Sequence, residues 1–354
     1  MTNGYKPIQT SFQTIKFQKV MRKTAFLAAV AATLCMVACN KEIPGQGIDV
    51  NSTSEEIEMG QLTVSLVGSG GPDTKVIQSS DDINLSKVKS LQLFVFDGDV
   101  LDVYKSVTNQ TSVTMSCRQG TKSIFAIVNA PAINNIKTLS QLKAMTSKLS
   151  DNTEQFVMVG SQDGVRVPAD KPVELEVKRI VARVALKKIT LAFTNSAYPG
   201  SDARLGKIYL TNVPTDINYG LTSEPTQWIN KMRFMSGDEP VELVADTNDY
   251  SLVTSDYPNF FYSYPNPTVT DAEGGTWSAR HTRLVVEALI GGSTYYYPIT
   301  LPVLEAGKSY EIENLTITRL GSNDPDKPVK LSDVTFEISV KPWTVVPVTE
   351  GITI

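Results

Sequence analysis

VELEVKRIVARVALKKITL, residues 173–191, carries two strand patterns in opposite phase. Val173, Leu175 and Val177 are apolar at odd positions, with Glu174, Glu176 and Lys178 between them. From Ile180 the apolar set moves to even positions, through Ala182, Val184 and Leu186. Strand side chains alternate faces with period two, so a change of phase means that the buried side has changed. A bulge within one sheet does this, and so does a strand that leaves one domain and enters another. Residue 179 stands near the middle of the patterned part of the chain, which favours the crossing. The expectation is two β domains, residues 59–179 and 180–354.

Upstream of that stretch, Leu62, Val64 and Leu66 alternate with Gln61, Thr63 and Ser65, a half-buried strand that Gly68-Ser69-Gly70-Gly71-Pro72 breaks. Leu91–Phe96 and Ile124–Val128 are apolar on both faces and suit central strands. Asp97-Gly98 predicts a type I′ hairpin, with Val100–Tyr104 returning. The one predicted helix spans Lys137–Leu149, capped by Thr138 with Gln141, with Leu139, Leu142, Met145 and Leu149 on one side. Downstream, Leu284–Ile290 and Thr294–Leu301 flank Gly291-Gly292 as a second hairpin, and Tyr310–Leu320 follows. Between Tyr198 and Thr282 the pattern is irregular and reads as long loops.

The chain end is patterned to bury, whereas chain ends usually fray. Val334, Phe336, Ile338 and Val340 alternate with polar residues, Pro342-Trp343 interrupts, and a second strand presents Val346, Val348, Ile352 and Ile354 on one face. Pro347 has no N–H, which suits an edge or a shallow groove.

The beginning is an address. Met21-Arg22-Lys23 precedes an apolar run from Ala25 to Val37, near the length of a signal-peptide core and short for a membrane span. Met36-Val37-Ala38-Cys39 has the form of a bacterial lipobox, so Cys39 is the expected lipidation site, with residues 1–38 the signal peptide and Met21 an alternative start. Residues 39–58 read as a lipid-anchored linker that opens on Cys39-Asn40-Lys41-Glu42, a charged export tag for the outer face of the outer membrane.

Composition narrows the chemistry. Of 354 residues, 41% are hydrophobic and 20% charged, enough apolar content for packed cores. All five basic residues before Cys39 lie in the address, leaving 28 basic against 37 acidic residues, a balance that gives no electrostatic case for nucleic acid. Past the address only Cys117 remains, read as a small buried apolar side chain. His281 is the one histidine, no metal-ligand cluster is visible, and the glycine run at 68–71 lacks the lysine and helix of a phosphate loop. We expect no cofactor, no metal and no enzyme. Tyr295-Tyr296-Tyr297 reads as strand packing or, alternatively, as an aromatic surface that stacks on sugars.

The lipobox, Leu91-Gln92-Leu93-Phe94-Val95-Phe96-Asp97, Arg179-Ile180-Val181-Ala182-Arg183-Val184, Gly307-Lys308-Ser309-Tyr310 and Val340-Lys341-Pro342-Trp343, in that order, resemble the major fimbrial subunit (fimbrillin) family of anaerobic Gram-negative bacteria. The resemblance covers Met21 to the end. It implies an all-β protein with a minor helix: two tandem transthyretin-like, Greek-key β-sandwich domains with appended C-terminal strands at 333–354. It also implies export as a lipoprotein, cleavage after the first strand, and filling of the vacated groove by a neighbour's C-terminal strand. Here the cleavage region reads Asp73-Thr74-Lys75-Val76, with Lys75 where that family has arginine. The displaced strand would be that of Leu62, Val64 and Leu66, and the donor that of Val346, Val348, Ile352 and Ile354. The expected role is a subunit of an outer-membrane, cell-surface fimbria serving adhesion, with other subunits and a host or bacterial surface ligand as partners. A surface glycan-binding lipoprotein is the alternative.

Overall fold

The computed structural model describes residues 57–68, 86–193, 203–232, 254–271, 277–327 and 334–343. All of them fall within one compact unit, Glu55–Ile354.

The first half supplies β1 (Met59–Gly68), β2 (Ser90–Asp97), β3 (Val100–Thr108), β4 (Ser112–Arg118), β5 (Gly120–Val128), α1 (Leu139–Ala144), β6 (Thr146–Lys148), β7 (Met158–Val167) and β8 (Val173–Arg179). Seven of these strands join in the order β3-β2-β5-β7-β8-β1-β4. β8 is where the sheet folds over. Its residues 173–177 run parallel to β1, while Lys178 and Arg179 pair with β7. The result is two layers, β4-β1-β8 over β3-β2-β5-β7. Leu62, Val64, Leu66, Leu175 and Val177 of one layer meet Leu91, Leu93, Val95, Ile124 and Ala126 of the other in a closed core.

The opposite face of β2 and β5 is also apolar because it has a second core to cover. Phe94, Phe96, Phe125 and Ile127 join Ile180, Val184, Leu186, Tyr262 and Trp343 in a larger cluster. This is the physical reason for the two-faced sequences at 91–96 and 124–128.

The second half contributes β9 (Ala182–Leu191), β10 (Ala203–Thr211), β11 (Val213–Pro214), β12 (Asp216–Asn218), β13 (Trp228–Ile229), β14 (Thr254–Ser263), β15 (Arg283–Ile290), β16 (Ser293–Thr300), β17 (Lys308–Ile312), β18 (Leu315–Ile317), β19 (Val334–Thr335) and β20 (Ile338–Pro342). β9 is the spine of one sheet, with β14 antiparallel on one side and β17 and β18 parallel on the other. β10, β15 and β16 form a second, and β12 pairs with β6 of the first half. The chain leaves the seven-stranded sheet at Arg179 and enters the β9 sheet at Ala182, so the change of phase marks a change of sheet. We propose that the boundary there divides domains 59–179 and 180–354.

Three local expectations are corrected. The helix ends at Ala144 instead of Leu149, because Met145 turns extended and Thr146–Lys148 hydrogen-bond as a strand to Asp216–Asn218. Leu149 still buries, from a 3₁₀ turn over Leu149–Asn152. The cap is as expected, with Gln141 N–H donating to Thr138 Oγ1 at 3.0 Å. The first hairpin loop is Gly98-Asp99, since Asp97 pairs with Val100, and of the two only Gly98 has positive φ, the type II′ pattern. The irregular region 198–282 contains strands β10 to β14. In β10 a register shift between Leu205 and Ile208 breaks the alternation that a strand would otherwise show in sequence. At the second hairpin both Gly291 and Gly292 have positive φ, at +58° and +82°, as a tight type I′ turn demands.

Candidate strand-exchange site

β1 occupies a slot rather than an edge. β4 lies antiparallel on one side, with Leu62 opposite Met115 and Val64 opposite Val113, and β8 lies parallel on the other. Leu66 N–H donates to Thr111 O at 2.8 Å, and Gln61 O accepts from Ala169 N–H at 3.3 Å. The inner face is closed: Leu62 is 0%, Val64 1% and Leu66 7% exposed. The outer face carries hydroxyl pairs instead, Thr63 Oγ1 to Thr114 Oγ1 and Ser65 Oγ to Ser112 Oγ, each 2.9 Å. A replacement strand must therefore supply aliphatics at every second position and polar or small residues between. Three buried aliphatics contribute roughly 5–9 kcal/mol gross.

The residues flanking the slot are fastened to each other. Lys105 Nζ donates to Thr114 O, Arg118 N–H donates to Asp102, and the buried Lys122 ammonium lies 2.9 Å from Asp97 and 3.2 Å from Asp102. The first two contacts tie β3 to β4 across the open end of the sandwich and Lys122 ties β5 to β2 and β3, all independently of β1. Cys117 lies in this core, and burial, reinforced by the charge of Asp102, pushes its thiol pKa up.

The last two described strands sit at the edges of the β9 sheet. β20 pairs with β17, Tyr310 opposite Val340, and β19 pairs with β18, Thr316 opposite Thr335. From Ile312 to Thr316 is four residues, against three from Thr335 to Ile338, so the terminal strand is broken by a one-residue offset. The clean alternation of 334–340 is thus divided. Val334 is buried, while Val340 is 48% exposed. Trp343, the last described residue, is buried at 3% and donates its N–H to Gly307 O. Cys39, Lys75, Val346, Val348, Ile352 and Ile354 lie outside the described residues.

Three sequence motifs that are far apart in the chain meet at Trp343. Arg179 Nη1 donates to its carbonyl at 2.9 Å, and the guanidinium stands 4.0 Å from the ring centroid. Tyr262 stacks on the ring, Phe156 meets it edge-on, and Arg183 approaches at 4.9 Å. Arg183 is itself buried and ion-paired to buried Glu311 at 3.0 Å, with Ser309 Oγ taking its Nε–H and Lys341 the other Glu311 oxygen. Arg179, Arg183, Ser309, Lys341 and Trp343 belong to the motifs visible in the sequence, whereas Phe156, Tyr262 and Glu311 do not. One signal was available: Arg179 continues the inward odd phase of Val173, Leu175 and Val177, a charge where an apolar residue belongs.

The remaining candidates have structural settings. Tyr297 is buried and its hydroxyl donates to Arg319 O; Tyr295 packs partly against the same core; Tyr296 faces the other way, with its main chain bridged to Ser322. Nδ1 of His281 lies 3.3 Å from Asp271, in a cluster with Arg280, Arg283 and Asp326. Burial raises the Asp271 pKa, but the His281 N–H and the two arginines outweigh it and hold the carboxyl below its ordinary value. Among the described residues no group of three or more His, Cys, Asp or Glu is placed to hold a metal, and no helix is long and apolar enough to cross a membrane.

A sandwich whose first strand is an insert between two others, and whose last described strand lies on a sheet edge, defines the class: an all-β protein built of stacked sheets. Residues 61–187 match the family model described as major fimbrial subunit protein (FimA), which bears out the resemblance seen in the sequence. The chain is 23% identical to the major fimbrium subunit FimA type-2 of Porphyromonas gingivalis, over 87% of this chain and 94% of that relative. To FimA type-3 of the same organism it is 23% identical with the same coverage. The solved structure of a fimbrilin (FimA) from Porphyromonas gingivalis W83 superposes with a TM-score of 0.59 at 15% identity, covering 83% of this chain and all of that one, which shows the shared β-sandwich fold.

Proposed function

We propose that this chain is a structural subunit of a cell-surface fimbria serving adhesion, exported as an outer-membrane lipoprotein on Cys39 and joined to its neighbours by strand exchange. The observation that carries the reading is the setting of β1: an N-terminal strand with Leu62, Val64 and Leu66 buried, held between β4 and β8. Cleavage after Lys75 would sever it from the body, leaving a groove with two free ladders and an apolar floor. A vacated slot of this kind is a template for strand addition. The tail of a second copy offers Val346, Val348, Ile352 and Ile354 on one face, with Glu350 between the two aliphatic pairs. Its partners are other fimbrial subunits, and the family relatives, named as fimbrium subunits, support that assignment.

Deletion of residues 344–354 tests it. The truncated protein should fold, reach the surface and remain monomeric, because the two described cores are built from residues up to Trp343. Fibres of normal length from the deletion strain would overturn the proposal.

A further inference from the structure

Arg179 touches two places that matter separately to the proposed assembly. One guanidinium nitrogen, Nη1, donates to Trp343 O at 2.9 Å, one residue before the tail 344–354 begins. The other, Nη2, donates to Ser86 Oγ at 2.6 Å, eleven residues after Lys75 in the sequence. Arg179, Ser86 and Trp343 are 3%, 4% and 3% exposed, so these bonds form away from water, where a charged donor is strongest. The guanidinium plane is further fixed by the Trp343 ring at 4.0 Å and the Phe156 ring at 5.4 Å.

We propose that Arg179 is a coupling residue: by holding Ser86 with one arm and the Trp343 carbonyl with the other, it makes the anchorage of Trp343 depend on the placement of Ser86. The planar fork is what permits this, since both donors belong to one rigid group and cannot be repositioned independently. Moving Ser86 removes one of the contacts that set the fork, and the bond to the Trp343 carbonyl weakens. The next residues along the entry are held by a different clamp. Asn129 Oδ1 accepts from Lys89 N–H and Ser90 N–H, and its amide donates to Lys87 O. A change at Ser86 therefore stays local. The consequence for assembly rests on the strand-exchange reading: a cut in the segment before Ser86 would loosen the tail's anchor on the same subunit, so that processing readies both groove and donor.

Hydrogen exchange at the Trp343 amide, which is bonded to Gly307 O, reads the anchor directly in the full-length monomer. Ser86→Ala should raise exchange there by roughly tenfold, as expected for losing a hydrogen bond to a charged group. Arg179→Lys, whose single ammonium cannot span both acceptors, should raise it at least as much. Adding Ser86→Ala to Arg179→Lys should then raise exchange at Trp343 by much less than Ser86→Ala does alone, because the shared interaction is already gone. Wild-type exchange at Trp343 in Ser86→Ala overturns the coupling, and so does full additivity of the two changes. Should Arg179→Lys fail to fold, the Ser86→Ala result decides alone. These measurements use monomer, so they fail or succeed independently of whether the tail deletion abolishes fibres.

Discussion

If the inner face of β1 is what keeps the strand in place, removing one side chain from that face should loosen a severed strand without unfolding the rest. Leu62 is the choice, since it is wholly buried and faces both Met115 across the ladder and the sandwich core. A buried leucine cut to alanine loses about 2–5 kcal/mol through lost transfer energy and the cavity left behind. At 1.4 kcal/mol per decade, this weakens retention of a cut strand by roughly 30- to 4,000-fold. The intact face, roughly 5–9 kcal/mol gross, corresponds to dissociation constants on the order of sub-millimolar to sub-micromolar. A site-specific protease site placed at Lys75 severs the strand, and native mass spectrometry follows departure of the N-terminal fragment. Thr63→Ala is the control, because Thr63 points outward and loses only its hydroxyl bond to Thr114. The fragment should leave Leu62→Ala far faster than wild type, with Thr63→Ala close to wild type. Equal dissociation rates for all three would refute the reasoning.

Two further outcomes follow from the same packing. Gly160→Ala would place a Cβ 2.3 Å from Glu176 O and 2.9 Å from Val177, pushing β7 off β8, and should lower stability by about 1–3 kcal/mol in thermal or denaturant unfolding. Asp271 has a depressed folded pKa, so its stabilising contribution is fully present above the ordinary carboxylate value near 3.9 and is lost as pH falls through the lowered folded value. Asp271→Asn should therefore be less stable than wild type at neutral pH, with the difference shrinking below about pH 4 in urea titrations.

The buried charges near Trp343 also bear on specificity. Taking Arg183 and Glu311 out of water is costly, and such pairs add little net stability over an apolar replacement of equal volume. Their geometry nevertheless fixes β17 against β9, since Arg183 also bonds Ser309 and Glu311 also receives Lys341. The same strand pairings carry Gly307 N–H to Val181 O and Trp343 N–H to Gly307 O. The end of the chain is thereby tied to the point where it crosses between sheets.

What residues 173–191 determined by themselves was the change of buried side, because period-two alternation is a local property that a strand cannot escape. Leu62, Val64 and Leu66 likewise announced a one-faced strand, and the two-faced runs at 91–96 and 124–128 announced central ones. What alternation cannot encode is which neighbour a strand takes. That β1 lies between β4 and β8, that Thr146–Lys148 abandons its helix to pair with Asp216–Asn218, and that β10 hides behind a bulge all depend on hydrogen bonds to residues 50 or more positions away in most cases. The Arg179 junction is the extreme instance. Its partners, Ser86 and Trp343, lie 93 and 164 residues from it in the chain, and only closure of the sandwich and of the β9 sheet brings the three together.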